Sequence, residues 1–471
     1  MLTELRLKNF KSWRDTGPIK MAPLTVFFGT NSSGKSSIEQ FLLMLKQTMD
    51  SSDRKVVIFP GDLTTPVNLG SYEELVYGRI PENKLEFNFT WQLPEPLAIT
   101  DRKSDVSYSG KSMRFNGVVG MAGGKHPKLA VELMEYYLLK ASGDSSMKVW
   151  VERKVSEKGE YNLSASPYAL TRNKMRAWPL GSPTKFYGFP DEISAYYQNA
   201  DFVKDFSLQL EQLLRSIRYL GPLRSKGQRL YNWAGGEPES VGFSGETTIS
   251  ALLSAKDREL NLRKSGRKRV FQQLVAEKLQ QLELIESFYV KQISPSHKDY
   301  EVKVKTPGSP SAVDLPDVGF GLSQVLPVIV ECFYAPPGSI LFIEQPELHL
   351  HPQAQAHLAD LFIDVLASRI DGKERGIQLI IETHSEHFLN RLQRRIAEND
   401  DAWPISPGDV AAYFAHTTGT ESKLQMLDVD EYGNIKNWPD KFFGDSMGDL
   451  FEMSKAAAKR RKCAKQKEGS H

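Results

Sequence analysis

The stretch Gly29-Thr30-Asn31-Ser32-Ser33-Gly34-Lys35-Ser36 decides how this chain is read. It fits G-x-x-x-x-G-K-[ST], the phosphate-binding P-loop. The apolar run Leu24-Thr25-Val26-Phe27-Phe28 enters it and predicts a buried strand; the pattern from Ser37 to Met49 predicts a helix leaving it. Such a loop needs that setting. Its glycines let successive backbone N–H groups turn inward on an anion, and the helix N-terminus adds partial positive charge. Lys35 is placed to reach the β- and γ-phosphates, and the Ser36 hydroxyl to ligate Mg²⁺. Asn31, Ser32, Ser33, Gly34 and Ser37 complete the expected nucleotide contacts. ATP and Mg²⁺ are the cofactors this predicts.

Bulk properties narrow the rest. The 471 residues correspond to about two to four domains. Hydrophobic residues make up 40% and charged ones 25%, the balance of a soluble globular protein. A net charge of +2 gives no whole-molecule attraction to nucleic acid or membrane, so such contacts would need local clusters. Two cysteines, Cys332 and Cys463, cannot build a disulfide framework or a four-ligand zinc site, and they suit a reducing cytoplasm. The first residues alternate (Leu2, Leu5, Leu7, Phe10) without the apolar core of a secretion signal. No apolar run reaches the roughly 18 residues of a membrane-spanning helix.

Along the chain, residues 2–28 predict two or three strands with a turn at Asp15-Thr16-Gly17-Pro18. Segments of period 2 from Leu85 to Trp91, Leu129 to Leu139 and Met147 to Val155 predict an inserted antiparallel sheet. Residues 156–190 read as loop, and 191–217 and 268–290 as helical. From residue 317 strands and helices alternate, the pattern of a parallel sheet covered by helices. Heptads are nowhere sustained, so no long coiled coil is expected.

The second chemical motif is Ile340-Leu341-Phe342-Ile343-Glu344-Gln345-Pro346-Glu347. Four apolar residues make a buried strand whose tip presents a carboxylate. A P-loop enzyme needs one for its metal, and Glu344 is the expected metal ligand with Ser36. Three further stretches carry a resemblance. Gly319-Phe320-Gly321-Leu322-Ser323-Gln324 resembles the degenerate signature motif of ABC-class ATPases, in which a serine at a helix tip of one subunit caps the γ-phosphate held by another. Ile380-Ile381-Glu382-Thr383-His384-Ser385 places His384 where that class carries its switch histidine. Leu348-His349-Leu350-His351-Pro352 resembles its D-loop; a buried, satisfied histidine pair is the other reading.

The opening Leu7-Lys8-Asn9-Phe10-Lys11-Ser12-Trp13 resembles the start of SMC- and RecF-related ATPase heads, with Lys11 as the basic residue near the nucleotide; a solvated strand lysine is the alternative. The motif order resembles the ABC-class heads grouped with OLD-family nucleases, RecF and SMC proteins. It is most similar to prokaryotic predicted ATPases found with restriction and anti-phage systems, through Asn68-Leu69-Gly70-Ser71, Gly221-Pro222-Leu223-Arg224, the stretch from Glu344 to Pro352, Tyr432-Gly433 and Trp438-Pro439. The resemblance implies an α/β fold: a P-loop ABC-type ATPase head with a mixed sheet. Residues 1–80 and 315–430 would form the split core, 81–190 a β-rich lobe, 191–314 a helical lobe on the signature side, and 431–471 a turn and basic helix.

One departure bears on mechanism. Where ABC enzymes carry Asp-Glu, this chain has Glu344-Gln345. A glutamine amide orients water but takes no proton, which leaves Glu347, or His384 through a water, as base, or else makes ATP a long-lived clamp. The expected function is a slow ATPase switch that forms a nucleotide-sandwiched homodimer and regulates a separately encoded effector, a nuclease or toxin, in anti-phage defence. Alternatives are a DNA-binding repair or sensing ATPase and a scaffold with little hydrolysis. DNA contact would fall to Arg263, Lys264, Arg267, Lys268 and Arg269 or to the basic tail 455–467. An internal nuclease is disfavoured, since Asp428-Val429-Asp430 is an isolated acidic pair.

Overall fold

A computed structural model of the chain describes all residues except 102–103, 124–125, 155–158, 174–178, 265, 295–297, 440–441, 443–452, 454 and 457–471. Most of the expected basic helix, and Cys463, therefore lie outside the described residues.

The P-loop strand, Leu24–Gly29, sits inside a six-stranded sheet. The order across it is Ile217–Leu220, Ile340–Glu344, Gln378–Glu382, Leu24–Gly29, Val410–Thr418 and Glu421–Met426. The first five strands run parallel and the last is antiparallel. Strands such as Ile340–Glu344 and Gln378–Glu382 are buried along their whole length, which is why they read as unbroken apolar runs. Alternate residues feed two cores. Phe27, Phe342 and Ile380 face the P-loop helix, Lys35–Asp50, while Val26, Leu341, Ile343 and Ile381 face helices Phe320–Tyr334, Pro352–Ala367 and Glu386–Glu398.

Two consequences of register shape the site. Glu344 pairs with Glu382, so two carboxylates stand side by side at the C-terminal ends of neighbouring strands. The loop leaves the next strand over, at the end of the sheet where open α/β proteins bind ligands. Gly29 has φ of 143° and lies against the next strand; a Cβ there would fall 2.0 Å from the Ala415 carbonyl oxygen, so only glycine lets the loop leave at this point.

The expected β-rich lobe exists, but it is not separate from the N-terminus. Strands Leu85–Asp101, Val106–Ala122, Lys128–Leu139, Ser145–Arg153 and Tyr161–Ser166 continue from Leu2–Phe10 and its short partners as one eight-stranded sheet, through Leu7 opposite Phe87. Its aromatic face packs on the P-loop helix: Phe41 meets Phe10 at 5.2 Å and Phe87 at 5.0 Å between ring centroids. Tyr161–Ser166 is thus a strand where loop was expected. The helix expected over 268–290 is Phe271–Gln281 only, flanked by strands Lys268–Val270 and Ser287–Gln292. Glu283, at φ 59°, ends it. Residues 191–314 are accordingly mixed rather than helical.

The helix Glu386–Glu398 starts directly behind His384. Ser385 caps it, its hydroxyl accepting from the Phe388 N–H at 3.1 Å and donating to Gln355 Oε1 at 2.7 Å. Ser385→Ala should lower unfolding free energy by about 1–2 kcal/mol, the usual worth of such a cap. An unchanged denaturant midpoint would contradict the role.

Candidate functional site

Of the expected nucleotide contacts, Lys11 and residues 31–37 line one cavity and Ser323 does not. A cavity of ≈ 580 Å³ is lined by Lys11, Ser12, Asn31, Ser32, Ser33, Gly34, Lys35, Ser36, Ser37, Gln40, Gln345, Glu382 and His384. Gly34, at φ 88°, sits immediately before the helix and turns the loop into it. The Lys35 ammonium is folded back on the loop, donating to the carbonyls of Gly29 at 3.2 Å and Thr30 at 2.9 Å. The Ser33 hydroxyl is buried with no partner. Lys11, in a left-handed turn, donates from its backbone to Leu75 and from Nζ to Gln40 Oε1 at 2.6 Å, which fixes it at the rim.

Glu344 sits at its strand tip as expected, but its carboxylate is engaged elsewhere. The Tyr219 hydroxyl donates to Glu344 Oε1 at 2.9 Å. Burial, then the neighbouring Glu382, push the Glu344 carboxyl up to about 7. Ser36, expected to share a metal with Glu344, instead donates to Glu382 Oε2 at 2.6 Å, and Lys35 Nζ stands 3.9 Å from Glu382 Oε1. Burial raises the Glu382 carboxyl as well. Behind both lies Glu39, one turn along the P-loop helix from Lys35. It is 1% exposed and neither oxygen has a partner. Burial first, then Glu344 and Glu382, hold it well above the usual carboxylate range.

The turn after Glu344 is braced from the side. Gln345 has φ 45°, and its N–H donates to the Glu382 carbonyl at 2.7 Å. The buried Arg224 guanidinium donates to the Glu344 carbonyl at 2.6 Å and the Gln345 carbonyl at 3.4 Å. Glu347 is buried; one oxygen accepts the His384 N–H at 2.7 Å and the other is unpartnered. Burial, then the nearby Lys35 charge, lower the His384 imidazole, favouring the neutral ring. A neutral ring can donate or accept one hydrogen bond.

Ser323 is not part of this cavity. It lines a small crevice with Lys226, Tyr231 and Gly245, and its hydroxyl donates to the Phe320 carbonyl at 2.8 Å. His351 caps its helix, accepting from the Gln353 N–H, and His349 packs edge-on against Phe320 at 4.8 Å. No His, Cys, Asp and Glu cluster of metal-binding geometry occurs among the described residues. In the 263–269 cluster, Arg263 pairs with Asp364, Lys268 with Glu259 and Arg269 with Glu277. Asp430 is spent on a turn, accepting from the N–H groups of Tyr432 and Asn434.

Glu382, Tyr219, Arg224 and Trp13 shape the site without carrying a recognisable signal in the sequence. Glu382 and Tyr219 meet it only through strand pairing, and Arg224 through a long excursion of the chain. Trp13, fully buried, donates from Nε1 to the Gly34 carbonyl at 3.0 Å and so holds the loop. It was visible only as the end of the phrase around Lys11.

A P-loop between a buried strand and a helix, with acidic strand tips beside it, is the arrangement of a nucleotide-binding domain of mixed α/β fold. Three family models match parts of the chain. "AAA ATPase domain" matches residues 1–76, "AAA domain, putative AbiEii toxin, Type IV TA system" matches 289–390, and "Protein of unknown function (DUF3696)" matches 405–453. Residues 1–76 and 289–390 are thus similar to AAA-type ATPase domains. No curated protein matches it in sequence. Among solved structures it is similar to the SMC head domain from Thermotoga maritima, at 11% identity and TM-score 0.37 over 91% of this chain and 99% of that one. An SMC head bound to the C-terminal winged-helix domain of ScpA gives 14% and 0.39 over 91% and 98%. An SMC head with an extended coiled coil, bound to the ScpA C-terminal domain derived from Pyrococcus furiosus, gives 12% and 0.37 over 91% and 96%. The site, not these distant likenesses, carries the functional reading. No helix among the described residues is long and apolar enough to cross a membrane.

Proposed function

We propose that the chain is an ATP-binding and ATP-hydrolysing switch that closes as a nucleotide-sandwiched homodimer and regulates a partner effector, a separately encoded nuclease or toxin, in anti-phage defence. The observation that carries the ATP reading is the convergence of Lys11, the loop 31–37, Gln345, Glu382 and His384 on one cavity. The hard oxygen donors lining it, the Ser36 hydroxyl and the Glu382 carboxylate, with Glu344 at the tip of the adjoining strand, suit Mg²⁺. That ion would neutralise charge on the β- and γ-phosphates. Lys35 would leave the carbonyls of Gly29 and Thr30 for the phosphates, and the loop N–H groups would hold the same anion. Gln345 would orient the attacking water. Glu347, with one oxygen free, or His384 would take its proton.

The location of Ser323 supports dimerisation. It lies outside its own chain's cavity, as a serine that caps the phosphates of a second copy would. The defence assignment rests on the anti-phage resemblance and on the AbiEii-type model over 289–390. Contact with DNA is less favoured, because the described basic cluster is largely spent on ion pairs.

The test is light scattering and phosphate release with wild type and Ser323→Arg. Wild type should shift from monomer to dimer on adding ATP. Ser323→Arg should retain ATP, remain monomeric and release phosphate at least about tenfold more slowly, since its contact exists only in the closed state. Wild-type turnover by Ser323→Arg would defeat the sandwich.

A further inference from the structure

Two strand-tip carboxylates compete for one role. Glu344 and Glu382 are paired in register, yet they are held differently. The Glu344 side chain is committed to Tyr219, and its main chain is braced by Arg224. Glu344 does not line the cavity; Glu382 does. Glu382 accepts the Ser36 hydroxyl at 2.6 Å, and its other oxygen faces Lys35 at 3.9 Å. The hydroxyl a P-loop offers to a metal is therefore already within hydrogen-bond reach of Glu382.

We propose that Glu382, rather than Glu344, supplies the protein carboxylate to the nucleotide's divalent cation, and that Tyr219 is the positioning residue that keeps Glu344 turned away from it. This rests on the Mg-ATP reading above. Hydroxyl and carboxylate oxygens are the donors that Mg²⁺ and Mn²⁺ take. The surroundings call for a cation independently. Glu39, 1% exposed and unpartnered at both oxygens, stands behind the pair, so three carboxyls crowd a region whose cations are Lys35, 3.9 Å from Glu382, and Arg224, which is committed to the main chain of Glu344. Once Lys35 turns to phosphate, a bound divalent ion would favour the ionised form of the carboxylate that lines the cavity, Glu382.

The arrangement also accounts for the way the Ile340–Glu347 motif departs from the ABC pattern. The strand tip carries Glu-Gln instead of a metal acid followed by a base. If Glu382 on the neighbouring strand holds the metal, Glu344 is free to be a buried link between Tyr219 and the sheet, and the pair need not supply both functions.

The experiment uses the full-length chain, Mn²⁺ as probe and a non-hydrolysable ATP analogue, with bound Mn²⁺ read by electron paramagnetic resonance. Analogue retention in EDTA is measured in parallel and shows that each variant keeps its loop. Glu382→Gln should bind Mn²⁺ at least about 10- to 100-fold more weakly, the range seen even for outer-shell partners of metal sites, while holding the analogue in EDTA as well as wild type. Glu344→Gln should stay within about threefold of wild type for Mn²⁺, since it removes no ligand. Adding Tyr219→Phe to Glu382→Gln should restore part of the lost affinity by releasing Glu344, a rescue that a purely structural tyrosine would not give. If Glu344→Gln loses Mn²⁺ and Glu382→Gln keeps it, the assignment is overturned while the nucleotide reading stands. If wild type holds no analogue with or without Mn²⁺, both fall.

Discussion

Lys35→Ala is expected to fold normally and to lose its nucleotide. In the structure the ammonium is held by the carbonyls of Gly29 and Thr30 and sits 3.9 Å from Glu382, with burial lowering its affinity for a proton. The two carbonyls lie on a loop bordering an open cavity, so water can take the place of Nζ at small cost. ATP binding is affected far more. Two charge-assisted hydrogen bonds to phosphate, each worth about 1.5–3 kcal/mol, translate into a loss of affinity on the order of 100- to 10,000-fold. Anisotropy of a fluorescent ATP analogue would show this, with a melting midpoint close to wild type as the control. Wild-type affinity in Lys35→Ala would remove the basis for reading this cavity as a nucleotide site.

Glu39→Gln is expected to stabilise the nucleotide-free, metal-free protein and to flatten its dependence on pH. Glu39 is raised well above its usual value of 4.5 by burial, then by Glu344 and Glu382. Glu344 and Glu382 are raised too. Raised carboxyls hold protons in the folded state that the unfolded chain has already released. Their stabilising contribution is full below pH 4.5 and is lost as pH climbs through the folded values, so wild-type stability should fall from about pH 5 to pH 8. Each such group contributes up to about 1.4 kcal/mol per pH unit over its window. A glutamine amide is neutral throughout, and its N–H groups can donate to the two carboxylates that Glu39 can only repel or protonate. At pH 8 in EDTA the variant should be more stable by about 2 kcal/mol, with a shallower pH slope that Glu344 and Glu382 still sustain. Denaturant melts of wild type and Glu39→Gln across that range measure it. Parallel curves would mean that Glu39 is ionised or compensated in the native protein.

What the sequence made legible follows from how chemistry is distributed along it. The loop, its strand and its helix are contiguous: the strand starts at Leu24 as expected and runs one residue further, and the helix starts two residues earlier and ends one later. Strand Ile340–Glu344 was readable for the same reason. Strand order is not written locally. That Gln378–Glu382 slips between the other two strands is a packing outcome, and it alone brings Glu382 to Ser36. Tyr219 is likewise indistinguishable from a core tyrosine until its strand pairs with Ile340–Glu344. The over-long helix at 268–290 shows the opposite error. Phe288 and Val290 alternate with polar residues, but the leucines before them masked the change of period.

The eight-stranded sheet and the loop share a short length of chain. Ser12 is hydrogen-bonded to Ser422 and Trp13 to Gly34, so the turn that begins the sheet is bolted to the cradle. Two strands of that sheet run for 17 residues each, a reach of roughly 55 Å along the pleat. Built this way, the sheet is an outrigger: a tilt of about 5° at its root would sweep its tip through about 5 Å, given that reach. A small rearrangement around a phosphate would then register as a large displacement on a remote face, where a second macromolecule could sense it.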